Sequence, residues 1–225
     1  MKTPRNGSVT VTLMVVLAIL ATVAVAATPE ARIAPAQAPA VAPTATGVAP
    51  GDMAPNFTLK DTDGVEHSLS QYLADGKIVV LEWFNPDCPF IIKHHKLNRT
   101  MNDTYAVLQH KGMVWLAINS GAAGKQGAGL ERNRKAHEEY EMPFPLLLDE
   151  TGAVGRAYGA KTTPHMFVIG KDGKVAYTGA IDNDPSPTKV GERNYVISAL
   201  RSVMDGRPVP EPVTKPYGCS VKYGD

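Results

Sequence analysis

The hydropathy pattern divides the chain into four stretches. Val9 to Ala26 is almost purely apolar, preceded by Lys2 and Arg5 and closed by the small residues Ala24-Val25-Ala26-Ala27. Basic, then apolar, then small is the order of a removable export signal, expected over residues 1–27. An apolar run of about 18 residues is also just long enough to span a bilayer, so a retained anchor stays open. Residues 28–52 are dominated by Ala, Pro, Val and Thr with repeated Ala-Pro pairs. They have little to bury and favour extended polyproline geometry, which predicts a disordered spacer.

From residue 53 to 206 the pattern becomes that of a folded domain. Asn56 to Leu59, followed by Asp61-Thr62-Asp63-Gly64, predicts a short strand and a turn, and Ser68 to Leu73 a short helix. Lys77 to Phe84 (KIVVLEWF) is a near-continuous apolar run, the pattern of a central strand covered on both faces. Asn85-Pro86-Asp87 breaks it, and a single helix is expected from Cys88 towards Gln109. Gly112 to Asn119 predicts a second buried strand, Gly121 to Gly129 a flexible loop, and Leu130 to Tyr140 a charged, exposed helix. Strands at Phe144 to Leu148 and Met166 to Ile169 follow. Lys171-Asp172-Gly173-Lys174 then turns the chain into a strand from Val175 to Thr178. Tyr195 to Met204 predicts the last helix, and residues 207–225 a mobile, proline-interrupted tail. Strands alternating with helices give an α/β class, a mixed central sheet with helices on both faces, in one domain.

Charge removes some function classes. The 225 residues carry 23 basic and 22 acidic side chains, a net charge of +1, mixed along the chain. That leaves no electrostatic footprint for nucleic acid or an anionic lipid surface, so membrane contact is expected only through a retained N-terminal segment. The folded part is expected to be exported, periplasmic or secreted.

Two cysteines, Cys88 and Cys219, focus the chemistry. In an exported protein a structural disulfide is the plain reading. Cys88, however, falls just after a buried strand and at the start of a helix. Pro89 suits the first helical turn, where its missing N–H would be unpaired. Unpaired backbone N–H groups and the helix dipole there favour a thiolate, the reactive form of cysteine.

The segment KIVVLEWFNPDCPF resembles the strand-to-active-site region of thioredoxin-like proteins, in particular the redoxin branch that spans exported thiol–disulfide reductases and peroxiredoxin relatives. TTPHMFVIGKDGKVAYTGAID resembles the part of that fold around its cis-proline and terminal hairpin. The resemblance runs from Met53 to Met204 and implies a thioredoxin-like fold. It implies that Cys88 is the attacking cysteine. It makes Thr163 and Pro164 the substrate-binding corner, with a cis Thr163–Pro164 bond, and Glu82 a buried proton acceptor whose pKa burial would raise.

The departures matter equally. Ile91 stands where thioredoxins place their second cysteine, which excludes a Cys-x-x-Cys cycle. Asn85 stands where peroxiredoxins carry a threonine, and Pro164 about where they carry an arginine. The candidate for resolving an intermediate on Cys88 is Cys219, in Pro216-Tyr217-Gly218-Cys219-Ser220, where Gly218 gives local freedom. His94 and His95, about two helical turns beyond Cys88, are expected as surface or capping residues, His165 as a strand residue, and Lys93 and Lys96 as a solvated helix face. Asp87 would oppose a Cys88 thiolate if it pointed at the sulfur. No metal or organic cofactor is expected.

The function implied is an extracytoplasmic thiol–disulfide oxidoreductase with protein or small-molecule disulfides as substrates and an external thiol reductant. Two alternatives stay open. One is a thiol peroxidase; the other is a non-catalytic thioredoxin-fold binding or copper-handling module.

Overall fold

The computed structural model describes residues 47–225, and the expected signal and most of the spacer lie outside them. In chain order the elements are β1 (Thr58–Asp61), β2 (Glu66–Ser68), α1 (Leu69–Ala74), β3 (Ile78–Trp83) and α2 (Pro89–Ile92). They continue with α3 (Thr100–Leu108), β4 (Met113–Asn119), α4 (Leu130–Glu139), β5 (Leu146–Leu148), α5 (Ala153–Tyr158), β6 (Thr162–Thr163) and β7 (Met166–Ile169). The last are β8 (Val175–Gly179), α6 (Tyr195–Met204) and β9 (Cys219–Ser220). Seven strands form one mixed sheet in the order β2-β1-β5-β4-β3-β7-β8, with β3, β4 and β5 parallel and the outer pairs antiparallel.

The apolar run of β3 sits at the centre because both its faces can be buried. Successive strand residues point to opposite faces. Ile78, Val80 and Phe84 therefore pack with residues of α2, α3, α4 and α6, while Val79, Leu81 and Trp83 pack with Leu69 of α1 and Tyr158 of α5. The parity that sends Val80 and Phe84 to the first face sends Glu82 there as well. Among the described residues no helix is long and apolar enough to cross a membrane.

Four details depart from the sequence expectation. The helix after Cys88 is not continuous: α2 passes into a π-helical turn at Lys93–Leu97, and Arg99, at φ +53°, separates it from α3. The end of the expected spacer is bonded to the domain, with Gly51 N–H donating to the Val175 carbonyl at 2.8 Å and Val175 N–H to that of Asp52 at 2.9 Å. The Gly121–Gly129 loop is tied down by the Asn119 amide on the Gly127 carbonyl at 2.8 Å. The tail, finally, is part of the fold. Thr178 N–H donates to the Pro212 carbonyl at 3.0 Å and its own carbonyl accepts from Thr214 N–H at 3.1 Å, Thr214 Oγ1 accepts from Ala180 N–H at 2.9 Å, and β9 pairs with β6. Sequence local to the tail could not show this, because its partners lie some 35 to 60 residues away.

Gly179 is where tail and sheet press together. Its φ is +151°, and a Cβ there would stand 2.6 Å from the Thr214 carbonyl oxygen. Gly179→Ala is expected to lower unfolding free energy by about 2 kcal/mol or more in denaturant titration, combining backbone strain with overpacking. Gly76→Ala, at φ +69° in open space, should cost only about 1 kcal/mol in the same titration.

Candidate active site

The turn after β3 is built to present Cys88. Asn85 Oδ1 accepts from Asp87 N–H at 2.9 Å, the Asn85 carbonyl accepts from Cys88 N–H at 3.1 Å, and the Asn85 amide donates to the Gln126 carbonyl at 3.1 Å. Asn85 thus caps a turn where a peroxide-binding threonine would otherwise stand. The Asp87 carboxylate pairs with Arg132 at 2.7 Å. Cys88 is the residue that caps α2, with Pro89 at its first helical position, and its side chain is fully buried. The Cys88 thiol donates to the Thr163 carbonyl at 3.0 Å. Thr163–Pro164 is a cis peptide bond, as the resemblance implies.

Cys219 is brought to the same place from the other end of the chain. In the β6–β9 ladder, Thr163 is paired directly with Cys219, and Thr162 with Ser220. Both cysteines stand as free thiols, and that of Cys219 lies within hydrogen-bonding reach of Cys88. Burial, joined by the hydrogen bond and charge of Cys88 and opposed by Lys222, pushes the Cys219 thiol up to about 12. Burial and a neighbouring negative charge both disfavour a second thiolate. Cys219 is therefore held protonated. Thr163 touches both cysteines, and Gly218 makes the close approach possible: at φ +134°, any Cβ there would collide with the Thr163 carbonyl.

Glu82, in β3, is fully buried. Its carboxylate accepts from His95 Nε2 at 2.7 Å and from Trp115 Nε1 at 3.0 Å. His95 is itself fully buried against Phe84, Tyr140 and Phe144, which corrects the surface or capping expectation. His94 is corrected likewise: it is buried, its Nε2 faces the Tyr217 hydroxyl at 2.9 Å, and burial drops its pKa to about 3 against the opposing charge of Asp182. Lys93 too is fully buried, not solvated. His165 bonds Thr178 Oγ1 at 3.1 Å and accepts from Lys161 N–H at 3.3 Å; burial, helped by Lys161, drops its pKa to about 4. A sequence signal for the Glu82 partners did exist: a carboxylate inside KIVVLEWF needs a buried donor. Nothing local said that Trp115 and His95 supply it. Among the described residues no group of three or more His, Cys, Asp or Glu side chains is arranged to hold a metal ion.

The model of the AhpC/TSA family matches residues 50–178. Thiol-disulfide oxidoreductase ResA of Geobacillus thermodenitrificans is 35% identical over 130 residues, 58% of this chain and 68% of its own. Peroxiredoxin Q of Triticum aestivum is 31% identical over 189 residues, 76% of this chain and 79% of its own. The crystal structure of an uncharacterized conserved protein from Geobacillus kaustophilus superposes with a TM-score of 0.68 at 34% identity, covering 78% of this chain and 92% of that one. The fold is thioredoxin-like.

Two outcomes follow from the buried polar groups. Glu82→Ala, which strands His95 and Trp115 without their acceptor, is expected to cost about 3–5 kcal/mol in denaturant unfolding. His94 and His165 bind a proton in the unfolded chain near pH 6.5 but in the fold only near pH 3 and 4. Unfolded chains therefore hold more protons between those limits, and stability must fall with pH across that window. From pH 7 to pH 5 the loss is about 2 kcal/mol per histidine. Thermal unfolding of His94→Gln should show a shallower decline over this range than the parent.

Proposed function

Because this chain belongs to the AhpC/TSA family, we propose that it is an extracytoplasmic thiol–disulfide oxidoreductase that works through Cys88 and Cys219. That it is an enzyme of thiol redox chemistry accords with its two named kinds of relative, one a thiol–disulfide oxidoreductase and one a peroxiredoxin. The observation that carries the finer reading is the direct pairing of Cys219 with Thr163, whose carbonyl also receives the Cys88 thiol.

In the first step the Cys88 thiolate attacks one sulfur of a disulfide R–S–S–R′. A Cys88–S–S–R bond forms, the substrate S–S bond breaks, and R′–S⁻ leaves and takes a proton. Cys88 then bears no charge, so the part of the burden on Cys219 that came from that charge is removed. Cys219 loses its proton and attacks the Cys88 sulfur, forming Cys88–Cys219 and releasing R–S⁻. Two electrons have passed to the substrate, and an external dithiol, or two monothiols, returns them by the same exchange in reverse. Thr163 and Pro164 bound the corner where the incoming disulfide must lie. Glu82, held by His95 and Trp115 within β3, is the buried carboxylate in reserve as a proton acceptor. Export is supported by the basic, apolar and small-residue order of residues 1–27.

The reading is tested in thiol–disulfide buffers of graded potential, with the Cys88–Cys219 linked peptide quantified by mass spectrometry. A midpoint well above about −300 mV is expected for an exchanging pair. A pair still oxidised below that value would be a structural staple, and no linkage at any potential would end the role given to Cys219. Peroxide consumption that depends on Cys88 and outpaces disulfide reduction would move the assignment to the peroxidase alternative.

A further inference from the structure

Behind the two cysteines lies a polar cluster that the exchange chemistry does not use. Lys93 Nζ, fully buried, donates to the carbonyls of Asp184 at 2.7 Å and Ser186 at 2.8 Å, and stands 5.0 Å from the centroid of the Tyr217 ring. His94 Nε2 bonds the Tyr217 hydroxyl at 2.9 Å, and that hydroxyl donates to Asp182. Asp182 is fixed in turn by the N–H groups of Asp184 at 3.1 Å and Gly191 at 2.7 Å. Burial with Asp182 holds the Tyr217 phenol far above its ordinary pKa, so its one hydrogen goes to Asp182, and the His94 Nε2 that faces the same oxygen must then be the N–H that donates to it. Three segments meet at one ring: the helical segment that Cys88 opens, the loop after β8, and the tail.

The spacing gives this cluster a meaning beyond stability. Lys93 and His94 follow Cys88 by five and six residues, and Tyr217 precedes Cys219 by two. One anchor therefore ties the element carrying the first sulfur to the strand carrying the second. Cys88 is fully buried with Cys219 beside it, so the proposed attack on a substrate disulfide needs Cys219 to lift. Downstream of Cys219 the tail is held by Val221 N–H on the Lys161 carbonyl at 3.1 Å, by Ala122 N–H on the Lys222 carbonyl at 2.9 Å, by the Tyr223 hydroxyl on the Ala160 carbonyl at 2.9 Å, and by Arg156 on the Gly224 carbonyl and over the Tyr223 ring. Those contacts are spread singly over residues 221–224. The Tyr217 anchor involves a carboxylate, an imidazole and an ammonium, all buried. Gly218 separates anchor from cysteine, and its φ of +134° marks the joint.

We propose that Tyr217 is the positioning residue for the resolving step: a fixed anchor about which residues 219–225 lift to admit substrate and from which Cys219 returns to the Cys88 sulfur. This rests on the reading of Cys88 and Cys219 as an exchanging pair. A cysteine tethered two residues from a fixed point meets its target at a far higher effective concentration than one on a free tail. The anchor touches neither sulfur, so it acts on the return of Cys219 and not on the first attack.

The full reduced chain and Tyr217→Phe are mixed with oxidised glutathione, quenched in acid at graded times, and resolved by mass into glutathionylated Cys88 and the Cys88–Cys219 disulfide. The anchor predicts equal or faster glutathionylation of Cys88 in Tyr217→Phe. It also predicts at least a tenfold longer life for the mixed disulfide, and at least a tenfold smaller equilibrium constant for Cys88–Cys219 against glutathione. Asp182→Asn keeps an oxygen for the Tyr217 hydroxyl but drops the charge, and should fall between the two; it serves in place of Tyr217→Phe if that variant does not fold. Wild-type lifetime and equilibrium constant in both variants would overturn the anchor while leaving the cysteine pair intact. If the unaltered chain itself accumulates mixed disulfide and never closes the pair, the pair falls and the anchor falls with it.

Discussion

Thr163 relates the two sulfur atoms of this protein, and the site is organised around it. Its carbonyl receives the Cys88 thiol, its cis bond to Pro164 turns the chain from β6 into β7, and its place in the ladder fixes Cys219 opposite it. A two-residue strand is too short to be stable alone. It persists because the Cys88 thiol bonds its Thr163 carbonyl, the chain runs on directly into β7, and the tail supplies its only ladder partner among the described residues. Removing any one of these leaves backbone groups in a buried corner without partners, and such groups are costly.

The second constraint is ionisable side chains placed where water does not reach. Glu82 lies in the middle of the central strand, and Lys93 bonds the loop after β8. A buried polar side chain without partners is strongly unfavourable, so each must be met by several groups at once. Glu82 is met by His95 and Trp115, and Lys93 by two carbonyls, with the Tyr217 ring close above it. These arrangements join elements distant in sequence, and they account for a helix that leaves α-geometry at Lys93–Leu97. The π-helical turn carries Lys93, His94 and His95 together, all three into the interior. A regular helix would spread three consecutive side chains over most of its circumference, about 100 degrees apart, and bring one of them to solvent.

The site differs from a two-cysteine turn in where its second sulfur comes from. It stands not on the helix that holds the first but on β9, paired with β6. In the proposed exchange the sheet edge at Thr163 would carry two duties, forming the substrate corner and seating the resolving strand. That proposal requires the tail to leave and return, which a regular sheet strand would not do. A short ladder, a glycine joint and a buried anchor make that compatible with a rigid domain.

The local pattern was enough for the central strands, the mixed α/β class, the Cys88 turn, the hairpin at Lys171–Lys174 and the last helix. Runs such as KIVVLEWF and GMVWLAIN leave few ways to bury themselves, and Pro89 and Gly173 act on their own neighbours. Local pattern misread His94, His95 and Lys93 as solvent-facing, because polar side chains look alike in sequence whether they face water or a buried partner. It also read residues 207–225 as a mobile tail. Their order comes from Thr178, Thr163, Lys161 and Ala160, and no periodicity within the tail encodes those contacts. The sequence determined by itself where the candidate cysteine, Cys88, stands and on what kind of scaffold. Which residues surround it, and that Cys219 reaches it, was decided only by tertiary structure, since hydrogen bonding and burial depend on groups brought together across more than a hundred residues.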